Sequence, residues 1–461
     1  MEKSAPDLSG SPVVAPSARA VWQPDATMST AATTDGPADE RALGDGLISN
    51  LLGGDAIRGI AMTMVFLAHV AVNADPGAGL ENYHFFKEIV GRFDLALATF
   101  FVLSGYLIAR PFLRSFVLDT KRPSVRRFTR NRVLRIVPAF FLISALVLLI
   151  FGLDGAVGPT PDNPTGTAPA SAWWQILSVF TFTQSYTTGS ATLPIGQDWS
   201  LDVEVAFYAA IPIAAAISYR LGRRLKTPGS RGLAALIFVG ALALVSIYLR
   251  QHNDNTLATL ASPPLIIYAF LPGIALAIAE PWAVPIFRGN PRRAKRFAWS
   301  MLAVAVLCWA LYCYWDFNVQ TTAIHHALGR RSLVSALFGM ALLAALIGLQ
   351  LGVGKIPRII DNRWTKFMGE RSYAFYLMHI AVILLVIDLI GADAGTPALI
   401  VGMLVIAFPV TVALSALSWK YYESPFLERR LPWAPGLRPA KDSAHEVADP
   451  ATEPQPATTP A

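Results

Sequence analysis

"AMTMVFLAHV" (61–70) decides how this chain is read. Eight apolar or weakly polar residues lead to His69, inside a run (56–73) that holds one arginine near its start and no acid. A spanning helix needs about 20 mainly apolar residues. Working outward, nine further stretches meet that test: 93–113, 134–152, 199–219, 232–250, 264–280, 297–315, 332–352, 370–391 and 397–419. The composition agrees, with 54% hydrophobic and only 15% charged residues, against roughly 25% charged in soluble globular chains. The expected fold is therefore all-α, a polytopic membrane protein of about ten transmembrane helices. The weakest span, 264–280, is short and interrupted by Pro272-Gly273. Residues 172–186 are apolar but too short to cross, and read as interfacial or re-entrant.

Lysine and arginine set the orientation, because cytoplasmic connections are enriched in them. Alternate connections (110–135, 220–231, 288–296, 355–371, then 420–430) carry 27 of these residues, and the intervening connections carry 5. Both termini are expected in the cytoplasm. The same asymmetry accounts for the net charge of +7 without any nucleic-acid partner. The first 50 residues and residues 432–461 are rich in Ala, Pro, Ser, Thr and Asp and read as disordered tails. They flank one membrane domain, 51–431; neither a cleavable signal nor a further folded domain is expected. Cys308 and Cys313 share one apolar segment, but their spacing indicates neither a disulfide nor a metal site.

Ionisable side chains in spans suggest function by default. Arg58 and His69 lie in the first span, Glu204 in the fourth and His379 in the ninth. At about 1.5 Å per residue, His69 sits about 16 Å beyond Arg58, near mid-membrane. His379 comes to about 14 Å depth, and Glu204 lies about 8 Å from the outer surface. All three fit one cavity in the middle or outer half of the bilayer. Plainer readings stand beside these: Glu204 could be a structural partner of either histidine. Arg58 could snorkel to the surface, His379 could be a helix–helix contact, and Ser104-Gly105 could serve close packing.

The motifs add a resemblance. "DAIRGIAMTMVFLAH" (55–69), "FFVLSGYLIAR" (100–110), "RNRVLRIVPAFF" (130–141), "DWSLDVEVAFY" (198–208), "SYAFYLMH" (372–379) and "YYESPF" (421–426) resemble, in order, the signatures of acyltransferase family 3. Its members are integral membrane proteins that O-acylate surface glycans, glycolipids and some macrolides. The likeness covers about residues 50–430. Two positions depart from it: Ala98 stands where an acid is frequent, with Asp94 one turn earlier, and Met378 stands where Trp is common.

The resemblance implies a cytoplasmic acyl-CoA donor as co-substrate, no permanently bound cofactor or metal, and an acceptor hydroxyl reached from the outer side of a bacterial plasma membrane. CoA phosphates suit planar guanidinium groups, so Arg58, Arg132 and Arg135 are the expected acyl-CoA-binding residues. A hydroxyl needs a base to become a good nucleophile. His69, expected as a neutral buried ring, is the candidate, with Glu204 orienting it, balancing its charge or binding the acceptor. Tyr208, one turn from Glu204, could donate to the acceptor or thioester oxygen. Ser104, Tyr376 and His379 are expected to line the substrate path. Direct transfer and an acyl-histidine intermediate both stay open. The rival class is a proton-coupled transporter using Glu204, His69 and His379 as a relay, which would favour paired interrupted helices in two related halves.

Overall fold

The apolar runs become long helices. The computed structural model describes Ile48 and residues 51–74, 89–151, 173–186, 197–252, 262–318, 324–391 and 394–428. Among these, nine helices are long and apolar enough to cross a membrane, and a bent pair makes a tenth span. In chain order they are α1 (Gly54–Asn73), α2 (Gly91–Val117), α3 (Val125–Phe151), α4 (Trp199–Arg224) and α5 (Pro228–Gln251). The bent α6 (Pro263–Ala269 with Leu271–Arg288) follows, then α7 (Pro291–Tyr314), α8 (Arg331–Val353), α9 (Ser372–Ile390) and α10 (Thr396–Phe426). Each of the ten expected stretches falls on one of these helices, so the chain is an all-α, multi-pass membrane protein. The described residues lie within one compact unit, Gly36–Pro439. Apart from Ile48, the expected tails 1–50 and 432–461 fall outside the described residues.

Local chemistry sets several starts and breaks. Pro228 opens α5 behind a Thr227–Ser230 capping box, in which each side chain meets the other's backbone N–H. Asn362 caps a short helix, Arg363–Glu370, in the same way with Thr365. Within 172–186, the described residues form an eight-residue helix, Trp173–Phe180, about 12 Å long and too short to cross, and a 3-10 turn, Gln184–Tyr186. In α6 the axis turns by 46° at Phe270, two residues before Pro272, which cannot donate to the helical ladder. Phe270 is fully buried. Its ring stacks on Phe207 of α4 with centroids 4.2 Å apart, and meets Phe101 of α2 at 4.9 Å. The bend is therefore held by aromatic packing.

Close crossings position the polar spans. A Cβ on Gly105 of α2 would overlap the carbonyl oxygen of Phe270, and one on Gly273 of α6 would overlap that of Val102. These glycines let α2 and α6 meet backbone to backbone, as small residues do in membrane bundles. Gly59 of α1 and Gly369 of the short helix make the equivalent approach, against Thr365 and Asp55 backbone oxygens. Spans α2 and α8 are the most buried and α5 the least. Leu233, Ile237, Phe238, Leu244 and Val245 of α5 are exposed, a face suited to lipid. One core joins α1, α9 and α10 around Phe66, Phe375 and Phe408, with ring centroids 5.1–5.8 Å apart.

A buried ion pair ties the ends of two spans together. Arg110 of α2 donates from Nε to Glu280 Oε2 of α6 at 2.6 Å, and from NH2 to Oε1 at 2.5 Å. Arg110 NH2 also donates to the backbone oxygen of Ile48, whose own N–H donates to Glu280 Oε1 at 3.1 Å. Tyr106 adds a 3.3 Å bond from its hydroxyl. Ile48 is buried, so the residue just ahead of α1 is anchored here.

Candidate functional site

His69 and His379 meet. Their ring centroids are 4.9 Å apart at 69°, and His379 Nε2 lies 3.3 Å from His69 Nδ1. The two residues are 310 positions apart in the chain, and the packing of α1 against α9 joins them. His69 Nδ1 also lies 2.9 Å from the Val65 carbonyl, one turn back in its own helix. His69 Nε2 has no hydrogen-bond partner among the described residues. Polar neighbours on α1 are satisfied internally: Thr63 Oγ1 donates to Gly59 O at 2.9 Å, and Asn73 Nδ2 donates to His69 O at 2.8 Å. Such back-bonding lets polar side chains sit in a membrane helix.

A second layer joins α9 to the start of α4. Gln197 Nε2 donates to the Tyr376 carbonyl at 2.6 Å. Tyr376 OH donates to the Gln197 carbonyl at 2.8 Å and shares a 2.6 Å bond with Ser200 Oγ. His379 Nδ1 lies 2.7 Å from that same Tyr376 carbonyl. Tyr376 thus pins two helices with its hydroxyl. Tyr373 does the same for α3, donating to Ile136 O at 2.9 Å.

Glu204 sits in a different group. Ser104 Oγ of α2 donates to Glu204 Oε1 at 2.8 Å, and Tyr208 OH donates to the same oxygen. Neither histidine hydrogen-bonds to Glu204, so the expectation that it orients His69 is not met. His379 occupies that position. A Glu204–His69–His379 relay is likewise not continuous, and among the described residues there is one bent span, not a matched pair.

The three expected arginines converge. Arg58 is close enough to feel the charges of both Arg135 and Arg132. Arg58 donates to Asp55 Oδ1 at 2.5 Å, and Arg135 lies near the buried Glu423. The Arg132 guanidinium stands 5.5 Å above the Tyr208 ring and 5.8 Å from the Phe128 ring, and its Nε is buried with no hydrogen-bond partner. Three guanidinium groups drawn from α1 and α3 gather in one region, with Asp55 beside Arg58, Glu423 beside Arg135 and Glu204 within reach of Arg132. The unpartnered Nε of Arg132 leaves a guanidinium donor of the kind that suits a phosphate. Tyr208 touches both groups, linking Arg132 to Glu204.

Sequence reasoning placed the expected residues in this region but missed Gln197, which holds the Tyr376 carbonyl, and Ser200, which lies inside a quoted motif without an assigned role. A polar residue just ahead of an apolar run carries no periodic signal. Glu423, in the last motif, was also unassigned, yet it takes a 3.0 Å bond from Ser418 and lies beside Arg135 and Arg371.

Comparison with known proteins bears on the whole assembly. A family model described as "Acyltransferase domain", that of acyltransferase family 3, matches residues 52–416. Among curated proteins, the "Putative O-acetyltransferase" of Staphylococcus aureus (strain COL) is 24% identical over 371 residues, covering 78% of this chain and 58% of the relative. "Nodulation protein 10" of Rhizobium leguminosarum bv. viciae is 27% identical over 354 residues, covering 72% and 82%. "O-acetyltransferase OatA" of Staphylococcus aureus (strain NCTC 8325 / PS 47) is 22% identical, covering 76% and 55%. The chain thus spans little more than half the length of these staphylococcal relatives. No solved structure matches it.

Proposed function

Because the chain belongs to acyltransferase family 3, we propose that it is a membrane O-acyltransferase. It takes an acetyl or other short acyl group from acyl-CoA on the cytoplasmic side. It delivers that group to a hydroxyl of a cell-envelope glycan or glycolipid approaching from the outer side of the plasma membrane. The observation that carries this reading is a half-buried imidazole with an unengaged Nε2 in the same bundle as three convergent arginines.

In this reading Arg58, Arg132 and Arg135 bind the CoA phosphates, and the thioester arm extends toward His69. His69 Nε2 takes the acceptor's hydroxyl proton as the oxygen forms its bond to the thioester carbon. The carbon–sulfur bond then breaks, and the CoA sulfur leaves with a proton returned from the imidazolium. Tyr208 and Ser104, whose single hydroxyl protons are held by Glu204, stand beside the path with oxygen lone pairs that can accept from the incoming hydroxyl. The cytoplasmic placement of both termini follows from the lysine and arginine asymmetry.

The test uses inverted membrane vesicles from the native host, which carry the natural acceptor, supplied with radiolabelled acetyl-CoA. Wild-type vesicles should release CoA and label an envelope glycan or lipid, and His69→Ala vesicles should do neither. Equal labelling in both would remove the assignment.

A further inference from the structure

We propose that His379 is a positioning residue that fixes the tautomer of His69, leaving Nε2 as the lone-pair nitrogen. The inference rests on the proposed role of His69 as base. His379 is fully buried, with 0% of its surface exposed, so it acts through another group. In this proposal it supports the base, where the sequence places it as a residue lining the substrate path.

The proton positions follow from which partners can only accept. His379 Nδ1 lies 2.7 Å from the Tyr376 carbonyl oxygen, which has no hydrogen to give. In a neutral ring one nitrogen carries the proton and the other a lone pair. Gln197 Nε2, a donor, also lies 3.5 Å from this nitrogen, but it is directed to the carbonyl at 2.6 Å and the much shorter carbonyl contact decides: His379 holds its proton on Nδ1, and its Nε2 is an acceptor. Gln197, donating to the same carbonyl at 2.6 Å, keeps that oxygen aimed between α4 and α9.

The acceptor at His379 Nε2 faces His69 Nδ1 at 3.3 Å, and the Val65 carbonyl faces the same nitrogen at 2.9 Å. Two acceptors converge on one atom. A proton on His69 Nδ1 is shared between them. The other tautomer would set a lone pair against both and leave the buried His379 Nε2 without a donor. His69 Nε2 is therefore the bare nitrogen, and no protein group among the described residues competes for it.

The arrangement has the logic of a triad in which the third member is neutral. A carboxylate in that place would hold the ring's tautomer and stabilise the imidazolium that forms. An imidazole acceptor performs the first task without burying an anion in the bilayer, where an unpaired charge is costly. When His69 takes a proton on Nε2, its Nδ1–H still points at the His379 lone pair.

The experiment compares His379→Leu with His379→Gln in the full-length protein, using acetyl-CoA turnover in inverted vesicles of the native host. A Gln side-chain oxygen reaches about as far as Nε2 and keeps the acceptor, whereas Leu fills the space without one. His379→Leu should lose on the order of 100-fold in kcat with KM for acetyl-CoA unchanged, and His379→Gln should recover most of that loss. Equal impairment of both variants, a normal kcat in His379→Leu, or a loss confined to KM would overturn the proposal.

Solid-state 15N NMR of the histidine-labelled wild type reads the tautomer directly, and so holds even where a variant fails to fold. A proton on Nδ1 and a bare Nε2 at His69 is the expected result; the reverse overturns the proposal. Wild-type vesicles that turn over no acetyl-CoA while this NMR signature is present would instead count against the acyltransferase reading.

Discussion

Ser104 of α2 donates a 2.8 Å hydrogen bond to Glu204 of α4, and Tyr208, one turn along α4, donates to the same carboxylate oxygen. One acid therefore satisfies two hydroxyls within the membrane, where no solvent replaces a lost partner. Glu204→Ala should destabilise the protein by about 2 kcal/mol, because it strands both donors. Ser104→Ala and Tyr208→Phe should each cost about 1 kcal/mol. Thermal unfolding in detergent measures all three. Adding Ser104→Ala to Glu204→Ala should cost less than the sum of the two, because they share one bond. Strict additivity would break the link.

The arginine cluster predicts a split between binding and turnover. Arg132→Gln, at the guanidinium with a buried and unpartnered Nε, should raise KM for acetyl-CoA by about 10-fold or more, the size of one charge-assisted contact. Arg58→Gln should act in the same direction but less strongly, since Asp55 already engages that side chain. Initial rates in inverted vesicles across acetyl-CoA concentrations decide it. A fall in kcat at constant KM in both variants would take the cluster away from the donor.

The crossing of α2 and α6 predicts an intolerant glycine. Gly105→Ala should cost about 1–3 kcal/mol as the backbones are forced apart, while Gly240→Ala on α5, where a Cβ meets nothing within 4 Å, should be neutral or slightly favourable. Expression yield and unfolding temperature of the two variants give the comparison. Equal tolerance would argue against the close approach at Phe270.

Sidedness is checked by labelling. In a variant lacking Cys308 and Cys313, a cysteine at Ala394 should react with an impermeant maleimide in whole cells. One at Ser124 should react only after the membrane is opened. The opposite pattern would invert the orientation drawn from the lysine and arginine count, and with it the side from which acyl-CoA arrives.

Much of the fold was legible because membrane helices announce themselves by length and apolarity. The runs at 56–73 and 370–391 map directly onto α1 and α9, and Pro272-Gly273 marked a span that does bend. What the helices meet was less legible. Hydropathy identifies His69 and His379 as costly residues, yet it does not say that they face each other across 310 positions. The charge count treated Arg110 as one more cytoplasmic residue, whereas it is paired with Glu280. Glu204 was placed near His69 by estimated depth, beside the motif that the resemblance supplied. Depth sets a layer in the membrane, and only the rotation of each helix decides which neighbour a side chain reaches.

The Arg110–Glu280 pair also has a consequence in time. The two residues are 170 positions apart, so at about 5–20 residues per second the ribosome needs roughly 10–30 s to make the carboxylate after the guanidinium. During that interval the second span is already made while its arginine has no partner. Its place near the end of that helix allows the long side chain to reach the lipid headgroups and wait there. The pair can close only when the sixth span arrives, drawing in the Ile48 backbone made long before. Assembly of this bundle thus has a step that elongation itself schedules.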